Sequence, residues 1–561
     1  MLHVTINGEK IAAKKGQTIL EAALSNNIEI PQLCYHSDLN IKANCRICVV
    51  AVKGWALPLT ACSTKVENGM EIITESPELK ELRKTNLELV FSQHQEECFD
   101  CVWESNCQLL KLAKKYNVKI TRFADRKKNF PIYDFDGMMI YNSSKCIDCR
   151  NCVDMCDQQK VSHLKIVSNN NLQEIVPNND NPCIYCGQCL IHCPSGAFEA
   201  ESEFEKIDEP LKDKNKIVIF QIAPSIKTTL GEESGMPPGA ITANQLTAAI
   251  KQLGVNYVFD TSVGADFTTF EEAKELLDKL EKNENKVLFS SCCPAWVRFI
   301  EKYYPEFVGN IAFARSPQMM LAGIIRNHWS QKIDIAPENI TLVSVMPCIA
   351  KKYEIDRPEL FVDGKKMIDY VLTTRELAWL LKKHKIDLSA IKPQPLDQPF
   401  GEPSGGGVIY GASGGVMESA LRTALAMMKG TECLSRKALG SLRGQQGIKK
   451  IEVKLDKNQK LKMAVVSGLN NAVQILEELK QNPLAYSYVE VMACPGGCIG
   501  GGGQPLPTNQ SIRQKRADSL YHIDSKSKIK SAHENPIVKQ MYKEFLTNDE
   551  IIKKICHATY K

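Results

Sequence analysis

The sequence predicts a multidomain α+β protein, with small cysteine-rich β modules ahead of residue 210, an α/β domain after them and a short helical tail. Three observations predict it. The 561 residues include 22 cysteines, most of them in tight C-x2-C clusters. One such cluster is repeated at an offset of 37 residues. Beyond residue 210, short apolar runs alternate with amphipathic stretches, the pattern of an α/β domain.

Composition bounds the rest. The length suggests roughly three to five domains. A hydrophobic fraction of 43% with 24% charged residues describes a chain that buries a large core, and a net charge of +5 with no arginine-rich arm gives no case for nucleic acid. No run of 18 apolar residues spans a membrane, and MLHVTINGEK lacks the charged and apolar regions of a signal peptide, so a cytoplasmic location is expected. In a reducing compartment clustered cysteines bind metal rather than pair as disulfides; spacing then decides between zinc and iron–sulfur clusters.

Residues 1–79 open with VTINGEKIAA, whose apolar alternation about Asn7-Gly8 signals a β-hairpin. Cys34, Cys45, Cys48 and Cys62 follow, a variant spacing that suits a 2Fe–2S cluster on a ferredoxin-like β-grasp domain. Residues 80–125 carry His94, Cys98, Cys101 and Cys107, a set fit for zinc or for a His-ligated 4Fe–4S cluster; the flanking modules favour the cluster. In residues 126–209, Cys146-x2-Cys149-x2-Cys152-x3-Cys156 is repeated as Cys183-x2-Cys186-x2-Cys189-x3-Cys193, the run of a bacterial two-cluster 4Fe–4S ferredoxin. Pro194 follows the second run, and Asp157 stands where the first would have Pro. The fourth cysteine of each run reaches the other cube: Cys146, Cys149, Cys152 and Cys193 hold one, Cys183, Cys186, Cys189 and Cys156 the other.

Residues 210–510 contain four apolar runs: IVIFQIAPS, KVLFSSCCPAW, ITLVSVMPC and YVEVMACPGGC. In open α/β sheets chemistry sits beyond the carboxyl ends of strands. Three of these runs end in cysteine and the fourth in Ala223-Pro224-Ser225, so four strand ends are expected to converge on one metal site. Cys293, Cys348, Cys494 and Cys498 supply four thiolates, enough for one more 4Fe–4S cube. The glycines around Cys498 let backbone approach a bulky cofactor. A phosphate loop would need Gly-Lys-Ser/Thr where Gln504-Pro505 stand.

At these residues the chain resembles a known family. SSCCPAW, MPCIAKKYE and ACPGGCIGGGGQP look like the three signatures of the iron-only (FeFe) hydrogenases, and the N-terminal modules are similar to those of the multi-cluster, monomeric clostridial members. The resemblance covers essentially the whole chain. It implies reversible reduction of protons to H2 with electrons from ferredoxin or flavodoxin. The implied cofactors are one 2Fe–2S cluster, four 4Fe–4S clusters and a diiron unit with CO, cyanide and azadithiolate ligands, inserted by dedicated maturation proteins. One of the four cubes joins the diiron unit to form the H-cluster, bridged by Cys498. The resemblance also implies that Lys351 holds a cyanide ligand, and Glu354 is expected to pair with it or with a neighbour. Met346 and Met492 wall the carbonyls, while Pro224, Ser225 and Gln318, with Ala223 beside them, line the diiron pocket. Cys292 becomes the last proton donor, fed by Glu272 and Glu275. The family's relay has a serine between those glutamates; here that position is Ala312, so a water-filled route and somewhat slower or differently biased catalysis are expected. Residues 511–561, with Arg516-Ala517 and HENP, resemble the family's small helical appendage, in which His522 and His533 read as surface residues. Cys433 and Cys556 match no motif and read as structural. A respiratory NADH-dehydrogenase subunit would share the first modules but not SSCCPAW with ACPGGC. The remaining alternative is a non-catalytic hydrogen sensor or iron–sulfur assembly-type homologue.

Overall fold

The computed structural model describes residues 1–560 except 97, 99–106, 125–129, 170–171, 283, 285, 430–439 and 455–459, so Cys101, Lys127 and Cys433 lie outside the described residues. The chain divides into two compact units. One comprises Met1–Asp157, Ser162–Asn181 and His192–Glu199; the other comprises Gln158–Val161, Pro182–Ile191 and Ala200–Lys561.

In the first unit, β1 (Leu2–Ile6) and β2 (Glu9–Ala13) form the hairpin that Asn-Gly signals. Asn7 and Gly8 take φ of 51° and 89°, the paired positive values that let a two-residue turn follow the strand twist. The alternation puts Val4, Ile6, Ile11 and Ala13 inside. β3 (Val49–Val52), β4 (Leu59–Thr60) and β5 (Glu71–Ile73) complete a sheet in the order β2-β1-β5-β3-β4, with β1 and β5 parallel. The helix Ile19–Ser25, started by a Thr18/Glu21 capping box, lays Ile19, Leu20, Ala22 and Ala23 on this core, as in a β-grasp. Leu87, Val90 and Phe91 of the helix Pro77–Phe91 pack with Leu109 and Leu112 of the helix Gln108–Tyr116 around Cys34 and Cys149. β6 (Ile132–Asp134) and β7 (Met139–Asn142) are antiparallel, β8 (Leu164–Asn169) and β9 (Leu172–Pro177) form a further hairpin, and β10 (Phe198–Ala200) lies beside β7.

The second unit holds two four-stranded sheets. β11 (Ile217–Ile222), β12 (Tyr257–Asp260), β14 (Ile340–Met346) and β15 (Tyr370–Thr373) form one, entirely parallel, in the order β12-β11-β14-β15. β13 (Leu288–Phe289), β16 (Ile448–Lys454), β17 (Lys460–Ser467) and β18 (Tyr488–Met492) form the other, in the order β13-β18-β17-β16, parallel except for the β16–β17 pair. Every residue of β14 and β18 is buried, as parallel strands covered on both faces require. The four cysteine- and proline-ended runs thus split between two sheets, β11 with β14 and β13 with β18.

The tail forms the helices Gln510–Lys526, Pro536–Glu544 and Asp549–Cys556. Arg516 anchors it: fully buried, it pairs with Glu232 at 2.6 Å and donates to the Ile499 carbonyl at 2.8 Å. Cys556 is fully buried in the apolar core; His522 is exposed and His533 half-buried. Among the described residues no helix is long and apolar enough to cross a membrane.

Candidate metal centre

The carboxyl ends of β11, β13, β14 and β18 open into one cavity. Its lining includes Ala223, Pro224 and Ser225 after β11, Cys292 and Cys293 after β13, Met346 and Cys348 at the end of β14, and Met492, Cys494 and Cys498 after β18. Gln318, at the start of the helix Pro317–Ile324, and Lys351, on the short helix Ala350–Glu354, complete the set expected from sequence. Gly497 lies in the left-handed region at φ 93°, and a Cβ there would meet the Ser413 nitrogen at 2.7 Å, so this wall requires glycine.

The chemistry of the lining fits a metal cluster. None of the four thiols is in a disulfide. Burial raises all four, to about 12 for Cys348, and neighbouring cysteines raise Cys348, Cys494 and Cys498 further. Converging thiols that resist ionisation together become stable thiolates when they bind metal. Ser225 Oγ and Gln318 Oε1 are buried without a hydrogen-bond partner, which leaves the Ser225 hydroxyl to face a bound group. Lys351 is the cation of the lining. Its Nζ donates to Glu354 Oε2 at 2.8 Å and to the Cys292 carbonyl at 3.1 Å. Burial alone would lower its pKa, but Glu354, together with the neighbouring Cys348 and Cys292, holds it raised. The same Glu354 oxygen accepts from Ser316 Oγ at 2.8 Å and Gln318 Nε2 at 2.5 Å.

Behind Cys292 runs a line of acids on the helix Thr261–Glu281. Glu272 is fully buried, and burial raises its carboxyl to about 8 despite hydrogen bonds from the Ser291 amide at 3.4 Å and the Tyr488 hydroxyl at 3.1 Å. Burial also raises Glu275 to about 7; its Oε2 accepts from the Phe313 amide at 2.9 Å. Both groups therefore keep a proton to a higher pH than an exposed carboxylate and carry transferable protons near neutrality. Burial, reinforced by Glu272, pushes the Cys292 thiol well up, so it rests protonated. Glu271, one residue before Glu272, meets His557 Nε2 of the tail at 2.7 Å and the Tyr542 hydroxyl.

Sequence reasoning missed Tyr488, and also Tyr410, which lines the cavity and bonds Thr269 Oγ1 at 2.7 Å. The signal for Tyr488 was present: two-residue periodicity puts it on the same face of β18 as Met492.

Among the described residues two of the other cysteine sets gather too. In the first unit Cys34 and Cys45 share a hydrogen bond, as do Cys48 and Cys62, and charge on Cys34 acts on Cys45, Cys48 and Cys62. Cys149 feels Cys193, Cys146 and Cys34, and Tyr141 feels Cys146, Cys152 and Cys193. Cys107, influenced by Cys98 and Cys193, starts the helix Gln108–Tyr116, and His94 Nδ1 lies 2.7 Å from the Lys145 carbonyl. Cys156 Sγ accepts from the His163 amide at 3.2 Å. Cys183, Cys186 and Cys189 belong to the second unit. There Gln188 Nε2 donates to the Gly500 carbonyl at 2.9 Å, and Gly187 abuts Gly502 so closely that a Cβ on either would lie under 3.0 Å from the other's Cα. Cys186 acts electrostatically on Cys494.

Residues 216–502 match the family described as iron only hydrogenase large subunit, C-terminal domain, and residues 510–561 match iron hydrogenase small subunit. Ahead of them lie matches to a 2Fe-2S iron-sulfur cluster binding domain (1–77), to the NADH-ubiquinone oxidoreductase-G iron-sulfur binding region (83–122) and to a 4Fe-4S dicluster domain (145–197). The chain is 37% identical to the NADP-reducing hydrogenase subunit HndD of Solidesulfovibrio fructosivorans, over 97% of this chain and 96% of that one. It is 35% identical to iron hydrogenase 1 of Clostridium pasteurianum over 100% of both. The solved apo structure of a variant FeFe-hydrogenase HydA1 from Chlamydomonas reinhardtii matches with a TM-score of 0.58 and 35% identity, covering 64% of this chain and 98% of that one. The NADH-ubiquinone oxidoreductase-G match covers residues 83–122, whereas likeness to the hydrogenases runs from the first module through the four-cysteine cavity to the tail: the chain belongs to the iron-only hydrogenase family, with 2Fe–2S and 4Fe–4S domains ahead of an H-cluster domain.

Proposed function

We propose that this hydrogenase reversibly reduces protons to H2 with electrons from a ferredoxin or flavodoxin, through functional modules at 1–79, 80–125, 126–209, 210–510 and 511–561. The observation that carries the reading is the meeting of Cys293, Cys348, Cys494 and Cys498 with Cys292 and Lys351 in one cavity. The four thiolates would hold a 4Fe–4S cube, with Cys498 shared with the diiron unit. When bound, the diiron unit supplies the redox chemistry that joins protons and electrons into H2. Lys351 and the Ser225 hydroxyl would hold its anionic ligands by hydrogen bonds, charge-assisted for Lys351. Met346 and Met492 give its carbonyl side an apolar wall and exclude water. Cys292 would deliver the proton, resupplied by Glu272 and Glu275.

The remaining ligands would form the wire: Cys34, Cys45, Cys48 and Cys62 for the 2Fe–2S cluster; His94, Cys98, Cys101 and Cys107 for the first cube; and the eight cysteines from Cys146 to Cys193 for the next two. The influence of Cys34 on Cys149, of Cys193 on Cys107 and of Cys186 on Cys494 supports both outer clusters feeding the middle pair, and one of that pair feeding the active site.

Protein made without the family's maturation machinery is expected to carry the iron–sulfur clusters, lack the diiron unit and evolve no H2 from a reduced dye. The matured protein should be active. Activity without maturation would overturn the cofactor assignment, and inactivity of fully matured protein would favour the sensor or assembly-type alternative.

Residues 111–128 carry eight Lys or Arg against one Asp, and Lys111, Lys114, Lys115 and Lys119 are exposed. Such charge is what a plain solvated helical face shows; it equally suits an acidic carrier, because complementary charge raises the encounter rate. Reversing Lys114, Lys115 and Lys127 to Glu should slow ferredoxin-linked turnover by about tenfold at low salt and spare small dyes. Equal losses with both donors would place docking elsewhere.

A further inference from the structure

The loss of the relay serine at Ala312 leaves Glu275 and Glu272 without a hydroxyl from that residue between them. Ala312 is fully buried, and its methyl packs in one cluster with Leu276, Leu288 and Tyr488. Tyr488, the first residue of β18, is buried, and its hydroxyl donates to Glu272 Oε2 at 3.1 Å. Glu275 is held by one oxygen, Oε2, on the Phe313 amide, the residue next to Ala312. Its other oxygen, Oε1, is buried with no protein partner. Of the other polar groups close by, the Tyr410 hydroxyl is engaged with Thr269, which also meets Ser419 at 3.0 Å, and the Ser291 hydroxyl donates to the Ala314 carbonyl.

We propose that the Tyr488 hydroxyl is a proton-relay group that carries protons between Glu275 and Glu272 in place of the serine hydroxyl that Ala312 lacks. The inference rests on the relay reading given above. The transfer balances without a charged intermediate. A proton leaves Glu275 Oε1 by way of water and forms an O–H bond on the phenol oxygen, while the original phenol O–H bond breaks and its proton passes to Glu272 Oε2. A phenol can do this because its oxygen both donates and accepts. Burial, with Glu272 second, pushes the Tyr488 phenol well above its usual range, so both transfers occur together rather than through a tyrosinate. Tyr488 and Ala312 are then one functional pair: the hydroxyl missing from one side of the relay is provided from β18 on the other.

The test uses matured holoenzyme with Tyr488→Phe, Ala312→Ser, the double variant and Glu275→Gln. Tyr488→Phe should lower H2 turnover about tenfold or more and raise its solvent isotope effect, with the electron paramagnetic resonance of the clusters unchanged. Adding Ala312→Ser to Tyr488→Phe should restore most of the rate. An independent readout comes from protein that carries its iron–sulfur clusters but no diiron unit. The infrared carbonyl band of protonated Glu272, assigned by its loss in Glu272→Gln, should move to higher frequency in Tyr488→Phe as the phenol donor is removed. An unshifted band overturns the contact. Near-normal turnover in Tyr488→Phe with a collapsed Glu275→Gln overturns the role of Tyr488 and leaves the relay standing. Near-normal turnover in both variants overturns the relay itself.

Discussion

Replacing Cys292 by alanine is expected to abolish H2 turnover while every cluster stays in place. The side chain lines the cavity beside Cys293, yet Cys293, Cys348, Cys494 and Cys498 already provide the four thiolates that a cube needs, so its removal takes away no ligand. What it takes away is the thiol that links Glu272 to the cavity. Burial and Glu272 keep its proton on at ordinary pH, and the Lys351 ammonium, through its hydrogen bond to the Cys292 carbonyl, fixes the backbone from which the thiol projects. General acid–base groups commonly contribute about 10²- to 10⁴-fold, and a donor seated directly beside the metal ligands belongs at the upper end. The measurement is H2 evolution from reduced dye, with infrared carbonyl and cyanide bands to show that the diiron unit is loaded. Turnover within about tenfold of the unaltered enzyme would mean that protons reach the metal by another path.

The candidate metal site was legible in the sequence because metal ligation depends on residue type and local spacing. Each of the three cysteine motifs of the α/β domain sits within a few residues of a strand's carboxyl end, and the rule that parallel strands present chemistry there needs no tertiary information. The hairpin at Asn7-Gly8 was legible for the same reason, since its turn is set by two adjacent residues. What stayed hidden was long-range pairing. Nothing in the runs 217–222, 288–289, 340–346 and 488–492 says that they divide between two sheets, because all four are short and apolar and lack a polar face to mark a partner. The groups around the acids are equally remote: Tyr488 reaches Glu272 across 216 positions, and His557 reaches Glu271 across 286. The helical tail was recognised as an appendage, but the contact of His557 with Glu271 makes it part of the wall around the acids, which no local pattern reveals. At Ala312 the sequence shows a relay position without a hydroxyl and suggests a water-filled route; that Tyr488 of β18 packs beside it is a long-range pairing.

Lys351→Met should leave the 4Fe–4S cubes in place but empty the site of its diiron unit, with a loss of stability that can be separated from that effect. Lys351 and Glu354 are both buried, 2.8 Å apart. Removing one partner of such a pair costs about 3–5 kcal/mol, because the other charge is left in a dry site. Here the cost should sit toward the lower end, since Ser316 and Gln318 still donate to the same Glu354 oxygen. The second loss is electrostatic. A charge-assisted hydrogen bond contributes about 1.5–3 kcal/mol, so an anionic iron ligand would bind the altered cavity roughly ten- to a hundredfold less tightly. The double variant Lys351→Met with Glu354→Gln separates the two. It carries no uncompensated charge, so its melting temperature should return toward that of the unaltered protein, but it has no cation for the diiron ligands and should stay unloaded and inactive. Melting curves on protein lacking the diiron unit, together with infrared bands after maturation, measure both effects. Normal diiron loading in Lys351→Met would exclude this lysine as an anchor for the cofactor. Recovery of loading together with stability in the double variant would reduce its role to pairing with Glu354.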